Sequence, residues 1–229
     1  MITFYTAVGR YILRDDDQGN RYPVVITHGN ENILNVPEMH IWSSLLWRVS
    51  TYDELKHEYL AKTGSSQVSG QYDLDHYLNR LQQRGLVVSG KDYVGIDAVY
   101  NLFSRLYVIP QTDSLFVKIC AFIDMSLRGV PLYVTKNIFR RTQLSECERQ
   151  VLHIARQQMM STAELIQCVQ MGVSDVSTDN KLLEAIYSDE DTSSDNIHIS
   201  SRFVDAQQQV LQAVANLYLK KQVLLEKAF

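Results

Sequence analysis

The sequence predicts an α+β fold, mostly α, and two observations carry this prediction. A pattern of two amphipathic helices followed by an apolar strand occurs twice, within residues 50–88 and again within 161–225. Residues 11–36 alternate short β-branched runs with Asp- and Gly-rich connections, which are typical of hairpins. We therefore expect an N-terminal antiparallel β-sheet and two repeated units, joined by connecting apolar helices.

The first unit carries start and stop signals for three helices. Pro37 suits a first helical turn, and Thr51 (or the preceding Ser50) caps the second helix, with Glu54 at capping-box spacing from Thr51. A third helix is predicted over residues 73–84, with a glycine as its stop. Its apolar residues recur at helical spacing and are expected to point into a core: Leu74, Tyr77, Leu78 and Leu81.

The second unit repeats these signals. Ser145 caps a helix over 146–158, and Ser161 and Glu164 again stand at capping-box spacing. The second-helix caps lie 111 positions apart, whereas the residues that end the third helices lie 137 apart. The second copy therefore carries 26 more residues, predicted as an acidic loop insertion at 172–200, with at most a short helix at 181–187.

The stretch between the units is strongly apolar. Helices are predicted over Ile96–Val108 and Ser114–Leu127, which divides the chain into domains at 1–94, 95–143 and 144–229. These helices either join the two domains or pack against a second copy, giving a homodimer. The large apolar residues of this stretch are more numerous than one helix face needs: Leu102, Phe103, Leu106, Phe116, Ile119, Phe122 and Ile123.

The order of elements in each copy is that of a winged helix-turn-helix. In the first copy, residues 86–94 read as strand, turn and strand, which would be the wing. The second copy is predicted to place its third helix from Ser200 onward.

The N-terminal part, about residues 21–92, also resembles the PqqD-like fold, or RiPP recognition element. The segments that carry the resemblance are Ile33-Leu34-Asn35-Val36-Pro37, Ile41-Trp42-Ser43-Ser44-Leu45-Leu46, Thr51-Tyr52-Asp53-Glu54-Leu55 and Leu78-Asn79-Arg80-Leu81-Gln82-Gln83-Arg84-Gly85-Leu86-Val87. The resemblance implies a three-stranded sheet before the winged helix, and binding of leader peptides of ribosomally made natural products.

No catalytic or cofactor-binding pattern occurs in the sequence. Its six histidines form no His-Glu-x-x-His motif, and no glycine-rich phosphate loop is present, so no enzyme, metal or cofactor is expected. Cys120, Cys147 and Cys168 are isolated and odd in number, as in a reduced cytoplasmic protein. Lys118 and Asp124 interrupt the longest apolar run, so no membrane span is expected.

Duplex DNA is the first expected ligand, because winged helices place a recognition helix in the major groove. The candidates for groove contact are Arg202, Gln207 and Gln208, and those for phosphate contact are Arg140, Arg141, Lys220 and Lys221. A net charge of -4 and the acidic start of the first recognition helix weigh against DNA. The alternative is a peptide- or protein-interaction module that adds a strand at an exposed sheet edge.

Overall fold

The computed structural model describes residues 1–63, 73–111, 143–187 and 192–227. The fold is α+β and mostly α, as predicted, with nine α-helices and nine short strands within these ranges. The strands form three antiparallel sheets of three strands each. None of the helices in these ranges combines the length and apolar character that crossing a membrane requires.

The N-terminal region begins with β1 (Ile2–Ala7), a strand that the sequence pattern did not predict. It is followed by β2 (Arg10–Asp15), β3 (Arg21–Thr27) and β4 (Asn30–Ile33). The last three form an antiparallel sheet in the order β2-β3-β4, which confirms the predicted N-terminal sheet.

The first unit contains α1 (Val36–Leu45), β5 (Ser50–Thr51), α2 (Tyr52–Thr63), α3 (Leu74–Gln83) and β6 (Val87–Asp92). The three helices thus occur where they were predicted. The predicted inward face of α3 is buried in full, in a core with residues of α1 and α2: Ile41, Trp42, Leu45, Leu55, Tyr59, Leu74, Tyr77, Leu78 and Leu81.

The predicted wing of the first unit is wrong. β6 runs straight through the predicted turn, because β1 pairs with it from Ile2↔Asp92 to Ala7↔Val87 and supplies the hydrogen-bond ladder. The sheet order is β5-β1-β6, so the N-terminal strand takes the central place. A helix, α4 (Gly95–Phe103), follows β6 directly, and no second wing strand forms at 93–94.

The glycine in the predicted turn serves helix packing instead. A Cβ on Gly90 would overlap the backbone of Ala98 and Leu102, because α4 lies directly against β6 at this point. Only a residue without a side chain permits this approach. The Ser-Gly pair was therefore a sign of close packing inside a strand rather than of a turn.

The second unit begins earlier than predicted. The expected helix over 96–108 ends at Phe103, and β7 (Leu106–Pro110) follows as the central strand of the sheet in the second unit. A short apolar run has no period that separates a buried strand from a buried helix. The described part of 95–143 is therefore shared between the two units, and the remainder of that stretch, including the predicted helix at 114–127, lies outside the described residues.

The rest of the second unit follows the order of the first. It contains α5 (Glu146–Gln157), β8 (Met160–Ser161), α6 (Thr162–Gln170), α9 (Ala206–Leu219) and β9 (Val223–Lys227). The sheet order is β8-β7-β9, the same arrangement as β5-β1-β6. The predicted third helix begins at Ala206 rather than near Ser200.

Strand pairing aligns the two units residue by residue. Thr51 and Ser161 pair with the central strands at equivalent positions and lie 110 positions apart. Gly90 and Glu226 do so on the other side of those strands and lie 136 apart. The difference of 26 residues equals the predicted insertion, while the cap equivalent to Ser161 is Thr51 and not Ser50.

The insertion is not the loop that its acidic composition suggested. It contains α7 (Asp179–Ile186), where a short helix was expected, and also α8 (Ser194–Ser200), which was not. Val176, Ile186 and Ile197 are buried in the core of the second unit. Three well-placed apolar residues suffice to fasten an otherwise polar segment to a core, and average composition does not report them.

Candidate functional site

Each unit contains a buried glutamate that is paired with a basic residue at the end of its third helix. Glu38 lies 3.1 Å from Arg80 and 3.4 Å from Arg84, and Glu148 accepts a hydrogen bond of 2.7 Å from the Lys220 ammonium. Each glutamate also completes the capping box of its unit's first helix. Burial alone would raise the pKa of Glu148, but the Lys220 and Ser145 hydrogen bonds outweigh it, so this pKa is lowered.

Two of the predicted phosphate contacts, Lys220 and Lys221, form contacts with other residues of the chain. Lys220 also donates to the Gln143 carbonyl, in addition to its pair with Glu148. The Lys221 ammonium lies 4.9 Å from the centre of the Trp47 ring, a cation–π contact between the second unit and the first. Both lysines thus hold parts of the chain together in this structure.

Arg202, the first predicted groove contact, links the turn that directly follows the insertion to the first unit. It lies in a short 3-10 turn (Ser201–Phe203), and its guanidinium pairs with Asp92 at 2.9 Å and Asp97 at 3.2 Å. Nearby, His198 stacks on Tyr100 with ring centres 5.5 Å apart. The guanidinium is therefore occupied by two carboxylates on β6 and α4.

The remaining DNA candidates are divided. Gln208 is exposed on α9, together with Gln209 and Gln212, whereas Gln207 is partly buried. Arg140 and Arg141 lie outside the described residues. The structure therefore brings together an exposed glutamine face, but it does not place it beside Lys220, Lys221 or Arg202 as free cations.

Metal and thiol chemistry have little support in the described ranges. No group of three His, Cys, Asp or Glu side chains is placed to hold a metal ion there. Cys147 and Cys168 are buried free thiols, and burial raises the pKa of both, that of Cys168 to about 12. Such thiols are poor nucleophiles, because the reactive species is the thiolate. Cys120 lies outside the described residues.

A large cleft lies between the β2-β3-β4 sheet, α1 and the β8-β7-β9 sheet. We call it the inter-unit cleft, and its volume is about 980 Å³. This volume is at the upper end of what ligand sites usually have. The walls are mainly apolar: Tyr11, Ile12, Pro23, Ile26, Met39, Trp42, Leu46, Trp47, Ile109, Pro110 and Leu224.

The outer edge of β2 borders this cleft. Arg10, Tyr11 and Ile12 all line it, although successive residues of a strand point to opposite faces, so the cleft meets the strand at its edge. β2 pairs only with β3, and no hydrogen bond from another described residue reaches its free side. Tyr11 and Leu13 are 46% and 52% exposed on this strand.

The ladder between β2 and β3 indicates which backbone groups face outward. Leu13 stands opposite Pro23, which has no N–H and cannot complete a doubly hydrogen-bonded pair. Alternation along the ladder then turns the N–H and C=O groups of Tyr11 and Leu13 toward the free side. The Ile33 carbonyl on β4 accepts from Arg84 outside the sheet, which agrees with this alternation across β3.

The opposite edge of the same sheet is covered. Arg84 donates to the Ile33 carbonyl at 3.0 Å and lies 3.4 Å from the Asn32 side chain, so the residue that caps the end of α3 occupies the edge of β4. β4 is also the shorter strand, with four residues against six in β2. Among the described residues, the β2 edge is thus the one without a neighbouring strand or side chain.

Sequence reasoning missed Tyr11, Leu13 and Trp47 as site residues. The apolar run Tyr11-Ile12-Leu13 between Arg10 and Arg14 was available as a signal of a strand with apolar side chains on both faces. Trp47 had no comparable signal, because its place depends on contacts with the second unit.

Comparisons with protein-family models, with curated proteins and with solved structures give no match to this chain.

Proposed function

We propose that this chain is a non-enzymatic, cytoplasmic polypeptide-binding protein, and that its partner adds as an extended strand to the free edge of β2. The observation that carries the proposal is the exposed edge of β2 beside the apolar inter-unit cleft. In strand addition, backbone hydrogen bonds supply affinity, and adjacent pockets that receive alternate side chains supply specificity. The resemblance of residues 21–92 to peptide-binding recognition elements supports the same class of ligand.

Duplex DNA is the second candidate, favoured by the exposed Gln208, Gln209 and Gln212 on α9, because amide side chains can read base edges. The charges give it less support. Lys220 and Arg202 would have to leave carboxylate partners to reach phosphate, and each unit has the N-terminal strand or β7 where a wing hairpin would stand. A polypeptide ligand requires neither change.

The test is selection of binders from a displayed library of random peptides, using the full-length chain. We expect Leu13→Pro to weaken binding of a selected peptide at least about tenfold, or roughly 1.4 kcal/mol, because proline removes an outward N–H from the β2 edge. Edge strands tolerate proline on their free side, so the melting temperature should change little. Ile33→Pro on β4 is the matched control, because the Ile33 N–H also faces away from β3, and we expect it to leave peptide affinity unchanged.

The two candidates give different results in parallel assays. Retention on random duplex DNA that falls steeply as salt rises, with no peptide selected, would refute the polypeptide proposal and support DNA. Peptide binding that is equal in the Leu13→Pro and unmodified chains would refute the β2 edge as the site.

A further inference from the structure

We infer that the bound segment inserts one large apolar side chain into the inter-unit cleft, offers a carbonyl to the indole N–H of Trp47, and carries an acidic residue opposite Arg10. This inference rests on the proposed strand addition at β2 and specifies the chemistry of the partner. It commits to one occupant, an extended polypeptide with an apolar anchor beside an acidic residue.

The anchor follows from the walls of the cleft. Side chains from both units line it: Met39 on α1, Leu46 directly after α1, Ile109 on β7 and Leu224 on β9. Because the cleft abuts the β2 edge, alternate side chains of an added strand point toward it. An aromatic or branched aliphatic side chain that is buried there is stabilised because its apolar surface leaves water.

The carbonyl follows from an unpaired donor. Trp42 Nε1 donates to the Val8 carbonyl at 3.1 Å, but Trp47 Nε1 is buried without a hydrogen-bond partner among the described residues. A buried N–H without an acceptor is destabilising, and an incoming acceptor removes this destabilisation. Backbone carbonyls are the acceptors that every extended peptide supplies.

The second unit holds the backbone and the ring of Trp47 at the wall of the cleft. Its backbone N–H donates to the Tyr218 hydroxyl at 2.8 Å, and Lys221 stacks on its ring. Its φ of 56° lies in the left-handed region, which these contacts maintain. A fixed donor loses little conformational freedom on binding.

The acidic residue follows from the charges at the rim. Among the described residues that line the cleft, the two charged ones are Arg10 and Glu226. The Glu226 carboxylate accepts the backbone N–H of His28 at 2.5 Å, whereas Arg10 forms no ion pair within the described residues. Arg10 is exposed on the first residue of β2, where an acidic residue of an added strand would face it.

The chain contains its own reporter of this site. Its two tryptophans, Trp42 and Trp47, both line the inter-unit cleft. We expect a peptide selected on the full-length chain to change tryptophan emission on binding. Replacing the peptide's apolar anchor by alanine should weaken binding about tenfold to hundredfold and abolish the emission change.

Two variants test the polar contacts. Trp47→Phe keeps an aromatic ring but removes the N–H, and we expect about tenfold weaker binding with an unchanged melting temperature. Arg10→Gln should reduce both the affinity and its salt dependence for peptides with an acidic residue. A peptide in which that residue is replaced by its amide should bind the unmodified chain and Arg10→Gln equally.

The outcomes separate this inference from the proposed function. If no peptide binds, the proposed function fails. If peptides bind and Leu13→Pro abolishes binding, but tryptophan emission stays constant and Trp47→Phe binds as before, strand addition stands and this inference is overturned. The emission and peptide-alanine experiments need no protein variant, so a folding defect in Trp47→Phe would still leave the inference testable.

Discussion

Replacing Lys220 by methionine tests whether this residue is a structural ion-pair partner or a phosphate contact. Its partner Glu148 has a side chain only 2% exposed, while the Lys220 side chain is 34% exposed. Removing one partner of a fully buried pair costs about 3–5 kcal/mol. Because solvent screens the lysine in part and Ser145 still donates to the carboxylate, we expect a loss of about 2–3 kcal/mol.

The assay is urea and thermal unfolding of Lys220→Met beside the unmodified chain. For a chain of this size, each kcal/mol corresponds to roughly 2–4 °C, so the melting temperature should fall by about 4–12 °C at neutral pH. Lys91→Met is the matched control, since Lys91 is exposed, and its change should stay within about 0.5 kcal/mol. The double variant Glu148→Gln/Lys220→Met should recover part of the loss, because no buried charge remains.

The pH dependence has a definite sign. The folded-state pKa of Glu148 is lowered, so the pair stabilises the chain fully above the unfolded-state pKa of about 4.3. That stabilisation is lost as the pH falls through the lowered folded-state value. The difference in unfolding free energy between Lys220→Met and the unmodified chain should therefore become smaller as the pH falls through this range. Equal unfolding midpoints at neutral pH, together with lost retention on DNA, would refute the structural role.

The remaining predictions concern packing, a helix end and the insertion. Gly90→Ala should reduce the free energy of unfolding by about 1–3 kcal/mol or more, and so lower the melting temperature, because the new Cβ overlaps the backbone of α4. An unchanged melting temperature would contradict this packing. Gly85→Ala should cost about 1–2 kcal/mol, because φ at this position is 69° and only backbone conformation opposes the methyl; urea unfolding measures it, and no loss would contradict the left-handed assignment. Arg202→Gln should hasten proteolysis within 172–203 by detaching the insertion from Asp92 and Asp97, whereas a cleavage pattern identical to the unmodified chain would show that these ion pairs do not hold it.

Local signals predicted the helices well. The capping boxes that begin at Ser145 and Ser161 form as the spacing indicated. The length of the insertion also follows from counting between equivalent residues. These features depend on residues three or four positions apart, which a sequence displays directly.

Features that depend on distant partners could not be predicted in this way. The sequence pattern divides β6 into a hairpin because its partner, β1, lies eighty or more positions earlier in the chain. Arg202 was assigned to DNA because nothing near it in sequence announces Asp92 and Asp97 as partners. The same limit applies to the inter-unit cleft, whose walls come from five separate strands and helices.

The central position of β1 and β7 has a consequence for the order of folding. The sheet that contains β1 and the sheet that contains β7 each need a strand that is translated much later. β1 pairs with β6, and β7 pairs with β9 at residues 223–227. During synthesis, β7 therefore leaves the ribosome with both edges unpaired. Its partner β8 follows roughly fifty residues later, whereas the edge that pairs with β9 stays unpaired while more than a hundred further residues are added. Long-range pairing of this kind slows folding, and an unpaired apolar strand invites association with other chains. The first unit is complete by residue 103, where α4 ends. It is therefore the surface against which the unpaired β7 can pack in the meantime.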